Sequence, residues 1–148
     1  MKKTLSPLML IVLTLSTHAT DIIKEGQAYP IAKIKEQNQQ IIKMVVTEIS
    51  KTLPQKVDKY TNMTKIEDKN VTLIYTFEID TGSKNDKDVQ KEDKPRMEKA
   101  VTKGVCQSSK RFLDAEIILN YTYLNASTKK ELFTFSINQK KCKELKYD

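Results

Sequence analysis

Histidine is almost absent from this chain: among 148 residues the one imidazole is His18. It falls in a stretch that reads as an export leader. Lys2 and Lys3 form a charged start, residues 8–15 are a short apolar run, and Thr17-His18-Ala19 offers small residues where a signal peptidase reads. Cleavage after Ala19 would leave a mature chain without imidazole. That excludes Ser-His-Asp and Cys-His catalysis, and histidine-ligated zinc or copper, within one chain. A long hydrophobic run is missing too. The leader's apolar stretch is too short to span a bilayer comfortably and no second one follows, so a soluble exported product without a transmembrane anchor is expected. A lipid anchor would need a cysteine just after that stretch, and the first cysteine is Cys106.

Arginine is scarce, at Arg96 and Arg111 only, and no aromatic residues interleave with a basic run. Nucleic-acid recognition is therefore poorly supported, and export argues against it. The positive charge is carried by lysine. Without Lys2 and Lys3, 24 Lys+Arg stand against 19 Asp+Glu, a net charge of +5. Such a surplus admits an anionic envelope component, whether lipid or cell-wall polymer, or an acidic protein. Lys129, Lys130, Lys140, Lys141, Lys143 and Lys146 are the candidate patch, although lysines are spread throughout the chain as solubilising residues.

Cysteine occurs twice, at Cys106 and Cys142. In an oxidising compartment a lone pair is more often a cystine than a metal site, with two unpaired thiols as the alternative. No C-x-x-C spacing supports a redox-active pair. A bridge enclosing 36 residues would contribute about 3–4 kcal/mol by chain entropy. That is a large share of the roughly 5–15 kcal/mol that holds a small domain together.

What is present is periodicity. After an aperiodic approach over residues 20–31, Ile34, Ile41, Ile42, Val45, Val46, Ile49 and Leu53 recur at helical steps among Lys, Glu and Gln, predicting an amphipathic helix over 32–53 with one core face. Pro54 ends or kinks it, making 54–60 a turn. Residues 61–66 read as an edge strand and 67–70 as a turn. Residues 71–79 alternate most clearly, with Val71, Leu73, Tyr75, Phe77 and Ile79 on one face, and predict a central strand. Residues 82–94 are charged and nearly free of apolar side chains, which predicts a mobile loop. Pro95 then opens a short helix with Met97, Ala100, Val101 and Val105 on its stripe, and Ser108 or Ser109 could cap a further turn carrying Phe112 and Leu113. Residues 117–124 and 132–137, joined by a polar turn, predict a β-hairpin whose base the cysteines bracket.

The resulting expectation is an α+β domain spanning 32–142. It has an antiparallel sheet of about four strands, an N-terminal amphipathic helix and a shorter second helix on one face, in the order α-β-β-α-β-β, with a basic tail over 143–148.

Leu53-Pro54, Val57-Asp58 and Thr61 at the helix end, Tyr75 in the central strand, Cys106, the strand around Tyr121 and Tyr123, and Cys142 together resemble a family of small uncharacterised exported bacterial proteins. The resemblance covers roughly the last two thirds of the chain. It departs from the family pattern in the longer, more charged stretch 82–94 and in a hairpin turn without Asn-Gly. What it implies is a disulfide-closed exported domain, with no transferable activity.

Single residues add little chemistry. Asp58, where the helix hands over to the sheet, is a candidate partner contact, and an Asx-type turn explains it more simply. Ser127 and Lys130 have S-x-x-K spacing, but in a hairpin turn that spacing does not align them. Glu78 with Asp80, and Asp114 with Glu116, are carboxylate pairs of the kind glycosidases use, yet a domain this small rarely builds the cleft they need. Asn62, Asn70, Asn120 and Asn125 begin N-x-S/T matches. Asn70, preceded by Asp68, fits a bacterial glycosylation acceptor.

The sequence thus points to a non-enzymatic periplasmic or secreted binding domain without cofactor or metal, acting through an exposed sheet face or the edge of strand 132–137. The competing reading is an inhibitor or immunity-type protein that blocks an exported enzyme through a protruding loop, at 82–94 or near Asn125. An enzyme ranks third.

Overall fold

The computed structural model describes residues 30–147. The expected leader, and the approach up to residue 29, lie outside the described residues.

Helix α1 (Ile31–Ser50) turns Ile42 fully into the core, with Val45, Val46 and Ile49 packed beside it. The core face is narrower than the apolar stripe predicts: Ile34 and Ile41 remain 41 % and 40 % exposed. Strands β1 (Gln55–Lys56), β2 (Thr61–Lys69) and β3 (Thr72–Ile79) follow. A helical crossover comes next: α2 (Asp86–Asp88), a π-helical stretch (Val89–Asp93), α3 (Lys94–Ser108) and α4 (Lys110–Asp114). Strands β4 (Ile118–Asn125) and β5 (Glu131–Ile137) and helix α5 (Gln139–Glu144) complete the chain.

The class is α+β, with one sheet of five strands in the order β1-β2-β3-β4-β5. It is mixed, not antiparallel as expected: β3 and β4 run parallel, with Thr72 opposite Ile118 and Ile79 opposite Asn125. The physical reason lies in the crossover. Parallel neighbours need a connection long enough to return the chain to the starting end, and 86–114 provides it in helical form. The short β1, expected as turn, pairs only with Asn62 and Met63.

Two expected irregular stretches are helical. Residues 86–93 wind up because Asn85 Oδ1 accepts the Asp88 N–H at 3.0 Å as an N-cap and because Val89, lone among charges, is 4 % exposed against the core. The first two residues of the expected tail, Lys143 and Glu144, belong to α5, capped by Asn138 Oδ1 accepting from the Lys141 N–H at 2.8 Å. Ser109 precedes α4 without a side-chain cap. The β2–β3 turn is tighter than expected. Lys69 pairs with Thr72, leaving Asn70 and Val71 as the loop, and Asn70 takes φ 57°, a left-handed conformation that asparagine tolerates.

All helices that touch the sheet do so on one side: α1 over β2 and β3, α4 over β4, α3 over β5. That side carries an aromatic ladder. Tyr75 stacks on Tyr121 at 5.0 Å between centroids, Phe77 on Tyr123 at 5.0 Å, and Phe133 on Phe135 at 5.0 Å. The other side is half-exposed or exposed, with Thr76, Thr122 and Thr134 in one row across three strands and Ile74, Ile118 and Leu124 on the same face.

Candidate interaction surfaces

The expected functional residues do not converge. Cys106 on α3 and Cys142 on α5 are bridged, with Cα atoms 5.6 Å apart, and both sulfur-bearing residues are buried. The bridge joins two helices and not the base of the hairpin. The lysines divide between opposite ends of β5. Lys129 lies in the β4–β5 turn and pairs with Glu78 at 2.7 Å, and Lys130 is beside it. Lys140 and Lys141 lie on α5, where Lys141 pairs with Glu98 at 2.8 Å and Lys140 reaches Glu144 at 3.8 Å. A seven-residue strand separates the two groups by roughly 20 Å.

Asp58 forms an Asx turn: its Oδ1 accepts the Tyr60 N–H at 2.8 Å. That bond, followed by bonds from Thr61 and the nearby Lys56 charge, holds the carboxyl below its ordinary range despite some desolvation. The same residue borders a cleft of 480 Å³ whose apolar floor is Ile79, Val89 and Met97. Its rim is occupied by internal ion pairs. Lys84 reaches Asp93 at 2.7 Å and Glu92 at 2.7 Å, and Arg96 reaches Asp93 at 3.2 Å. Hydrogen bonding to Lys84 lowers the Asp93 carboxyl, and the same pairing raises Lys84. Both carboxyls thus move away from neutrality, the wrong direction for a general acid or base working near pH 7.

The paired carboxylates resolve into separate structural roles. Glu78 holds Lys129, and Asp80 Oδ1 accepts the Gly82 N–H at 2.9 Å. Asp114 accepts from Gln139 at 2.9 Å, while Glu116 occupies a left-handed turn at φ 60°. Ser127 and Lys130 lie in the hairpin turn, where the Ser127 N–H donates to Asn125. Asn70 is exposed at the β2–β3 tip. Among the described residues no cluster of His, Cys, Asp or Glu is arranged to hold a metal. No described helix is long and apolar enough to cross a membrane.

Sequence reasoning passed over the buried Asn38 and Thr102, and placed Asn125 at an exposed turn where its side chain is in fact buried. Asn125 is 6 % exposed and Asn38 is 7 % exposed; Asn38 Nδ2 donates to Ala115 O at 2.7 Å, tying α1 to the end of α4. Thr102 is 1 % exposed on α3. Composition around these positions is ordinary, so only the fold identifies them.

An apolar surface was also hidden in a misread stripe. Ile34, Ile41 and the 61 % exposed Met44 run along one flank of α1. They continue into a groove of 320 Å³ beside α4, lined by Ile41, Arg111, Phe112, Ala115 and Ile117. Exposed apolar residues arranged along one helix flank are what a partner surface needs. The strand edge offers less. Strand β5 does lie at the sheet margin, but Gln90 Nε2 already donates to Leu132 O at 2.9 Å.

A family model described as a domain of unknown function (DUF8479) matches residues 36–133, and the chain belongs to that family. No curated protein matches it in sequence. Solved structures share the fold. A Pseudomonas aeruginosa protein described as secreted is 14 % identical with a TM-score of 0.65, over 78 % of this chain and 99 % of that one. The pilotin EpsS of the Vibrio vulnificus type 2 secretion system is 11 % identical with a TM-score of 0.62, over 75 % and 96 %. The type II secretion system pilotin AspS of Vibrio cholerae is 16 % identical with a TM-score of 0.58, over 75 % and 97 %. At such identities the likeness is one of fold.

Proposed function

We propose that this DUF8479 protein is an exported, non-enzymatic interaction domain of the bacterial envelope that holds a protein partner along the α1–α4 groove. The observation that carries this reading is the exposed Ile34, Ile41 and Met44 flank, continuous with the apolar groove beside Phe112. A surface helix ordinarily gives such positions to charged residues. Occurrence of the fold in secretion-system pilotins supports a protein partner and an envelope setting. The leader-like residues 1–19 and the bridged cysteines favour export.

For the inhibitor reading, residues 86–93 are helical with Val89 buried, while the hairpin turn over 127–130 and Gly82 and Ser83 are exposed. An anionic partner remains a role for the lysines at the two ends of β5. Glycosylation at the exposed Asn70 tip is a separate proposal, read directly from intact mass.

The test places a photo-reactive residue at Met44 in the exported chain and follows crosslinking in cells. One stoichiometric protein adduct, lost in Ile41→Glu while circular dichroism stays unchanged, is expected. Adducts that persist in that variant, or crosslinks to lipid alone, would overturn the assignment.

A further inference from the structure

Sulfur meets solvent on the partner surface. The methionines of the described residues are Met44, Met63 and Met97. Met63 is 8 % exposed inside the cluster around Phe77, Tyr123 and Phe135, and the half-buried Met97 packs against the same cluster. Met44 stands outside both core clusters and is 61 % exposed. Helical spacing explains the difference. Two residues beyond the fully buried Ile42, Met44 is rotated by about 200° around α1, which turns it away from the sheet.

No thiol competes with it, because Cys106 and Cys142 are bridged, and the sequence holds no tryptophan. Among the described residues Met44 is therefore the thioether most open to a peroxide, and susceptibility to oxidation follows exposure. In that reaction a sulfur lone pair attacks one peroxide oxygen. An S–O bond forms as the O–O bond breaks, and both peroxide hydrogens leave with the second oxygen as water. The sulfur is oxidised by two electrons and the peroxide is reduced. Methionine sulfoxide is polar where the thioether was apolar.

Position gives this chemistry a consequence. Met44 lies one turn from Ile41, on the flank that continues into the groove beside Phe112. A partner seated there takes the side chain out of water, and a sulfoxide oxygen would lose its hydration without a replacing hydrogen bond. The free domain loses nothing comparable, since Met44 packs in neither core cluster.

We propose that Met44 is an oxidation switch on the partner surface: peroxide converts its thioether to sulfoxide and releases the protein partner. A thiol-dependent sulfoxide reductase reverses the change, its two thiols becoming a disulfide as the oxygen leaves as water. The switch rests on the reading of the α1–α4 surface given above. Ile34 and Ile41 supply apolar contact that peroxide does not alter, and Met44 supplies the part that it does.

The experiment exposes cells making the exported chain to graded hydrogen peroxide before crosslinking, with the photo-reactive residue moved to the 84 % exposed Ile31. Peptide mass spectrometry should find one added oxygen at Met44 about tenfold sooner than at Met63 or Met97. The melting temperature should not change, and a sulfoxide reductase with dithiothreitol should remove that oxygen from the purified chain. The protein adduct should fall about tenfold as Met44 is oxidised. Met44→Gln, polar and of similar length, should lower the adduct without peroxide. Whatever adduct Met44→Leu forms, peroxide should not reduce it further. Absence of any adduct before peroxide would overturn the partner surface and the switch with it. An adduct that survives complete oxidation of Met44, an equal loss in Met44→Leu, or equally fast oxidation of Met63 and Met97 would each overturn the switch alone.

Discussion

Asn125 Nδ2 donates to Asp86 Oδ1 at 2.7 Å across 39 residues of sequence, joining the end of β4 to the start of the helical crossover. Its other bonds complete a knot. The same amide reaches Thr81 Oγ1 at 3.3 Å, while Asn125 Oδ1 accepts the Ser127 and Thr128 N–H groups at 2.8 and 3.1 Å. One buried side chain thereby orders the hairpin turn, the end of β3 and α2 together.

Asn125→Ala should destabilise the fold by about 1–3 kcal/mol, because it strands Asp86 and two turn N–H groups. Urea unfolding followed by circular dichroism measures this. A midpoint unchanged from the parent would show that the knot is incidental. The buried Asn125 should also stay unmodified in any host that glycosylates Asn70.

Val89 tests the helical character of 86–93. Val89→Ala removes two buried carbon groups and should lower stability by about 1.5 kcal/mol. Hydrogen exchange supplies the independent readout. Amides of 89–93 should be protected in the parent and speed up in the variant, whereas a mobile loop would show no protection in either.

The bridged helices carry a larger share of stability. Replacing both Cys106 and Cys142 with serine releases a 36-residue loop and should remove about 3–4 kcal/mol. Adding reductant to the parent should reproduce the effect in denaturation midpoints. The serine variant should not respond to reductant, and a response there would place the stabilisation elsewhere.

Asp58 gives a pH signature. Its folded carboxyl lies below the ordinary 3.8 because the Tyr60 N–H, then Thr61, hydrogen-bond to the charged form. A depressed carboxyl contributes stability that is present above the unfolded pKa of about 3.9 and lost as pH falls through the lower folded value. Asp58→Asn should flatten the stability profile below about pH 4. Carboxyl ¹³C titration should place the Asp58 midpoint below 3.8; a midpoint above it would contradict the Asx turn.

The legible part of this fold was the part encoded by local period. Alternation in 71–79 identified β3 and its inward face, since Leu73 and Phe77 are buried as that spacing implies, and the hairpin over 117–124 and 132–137 located β4 and β5. The Asx turn at Asp58 was readable for the same reason, since its bond spans two residues. The α1 stripe was only half legible. Ile34, Ile41 and Ile42 share one apolar pattern, and only the docking of α1 on β2 and β3 decides that Ile42 is covered while Ile34 and Ile41 are not.

By itself the sequence determined the α+β class, the placement of α1 and the main strands, and the lack of imidazole beyond His18. Each is a property of composition or of side chains a few residues apart. The tertiary structure alone decided that β3 and β4 run parallel, that Val89 draws a charged stretch into helix, and that Asn125 and Thr102 are buried. Those outcomes depend on where a crossover delivers the chain and on which distant surfaces meet, and a periodicity of 2 or 3.6 residues carries no record of either.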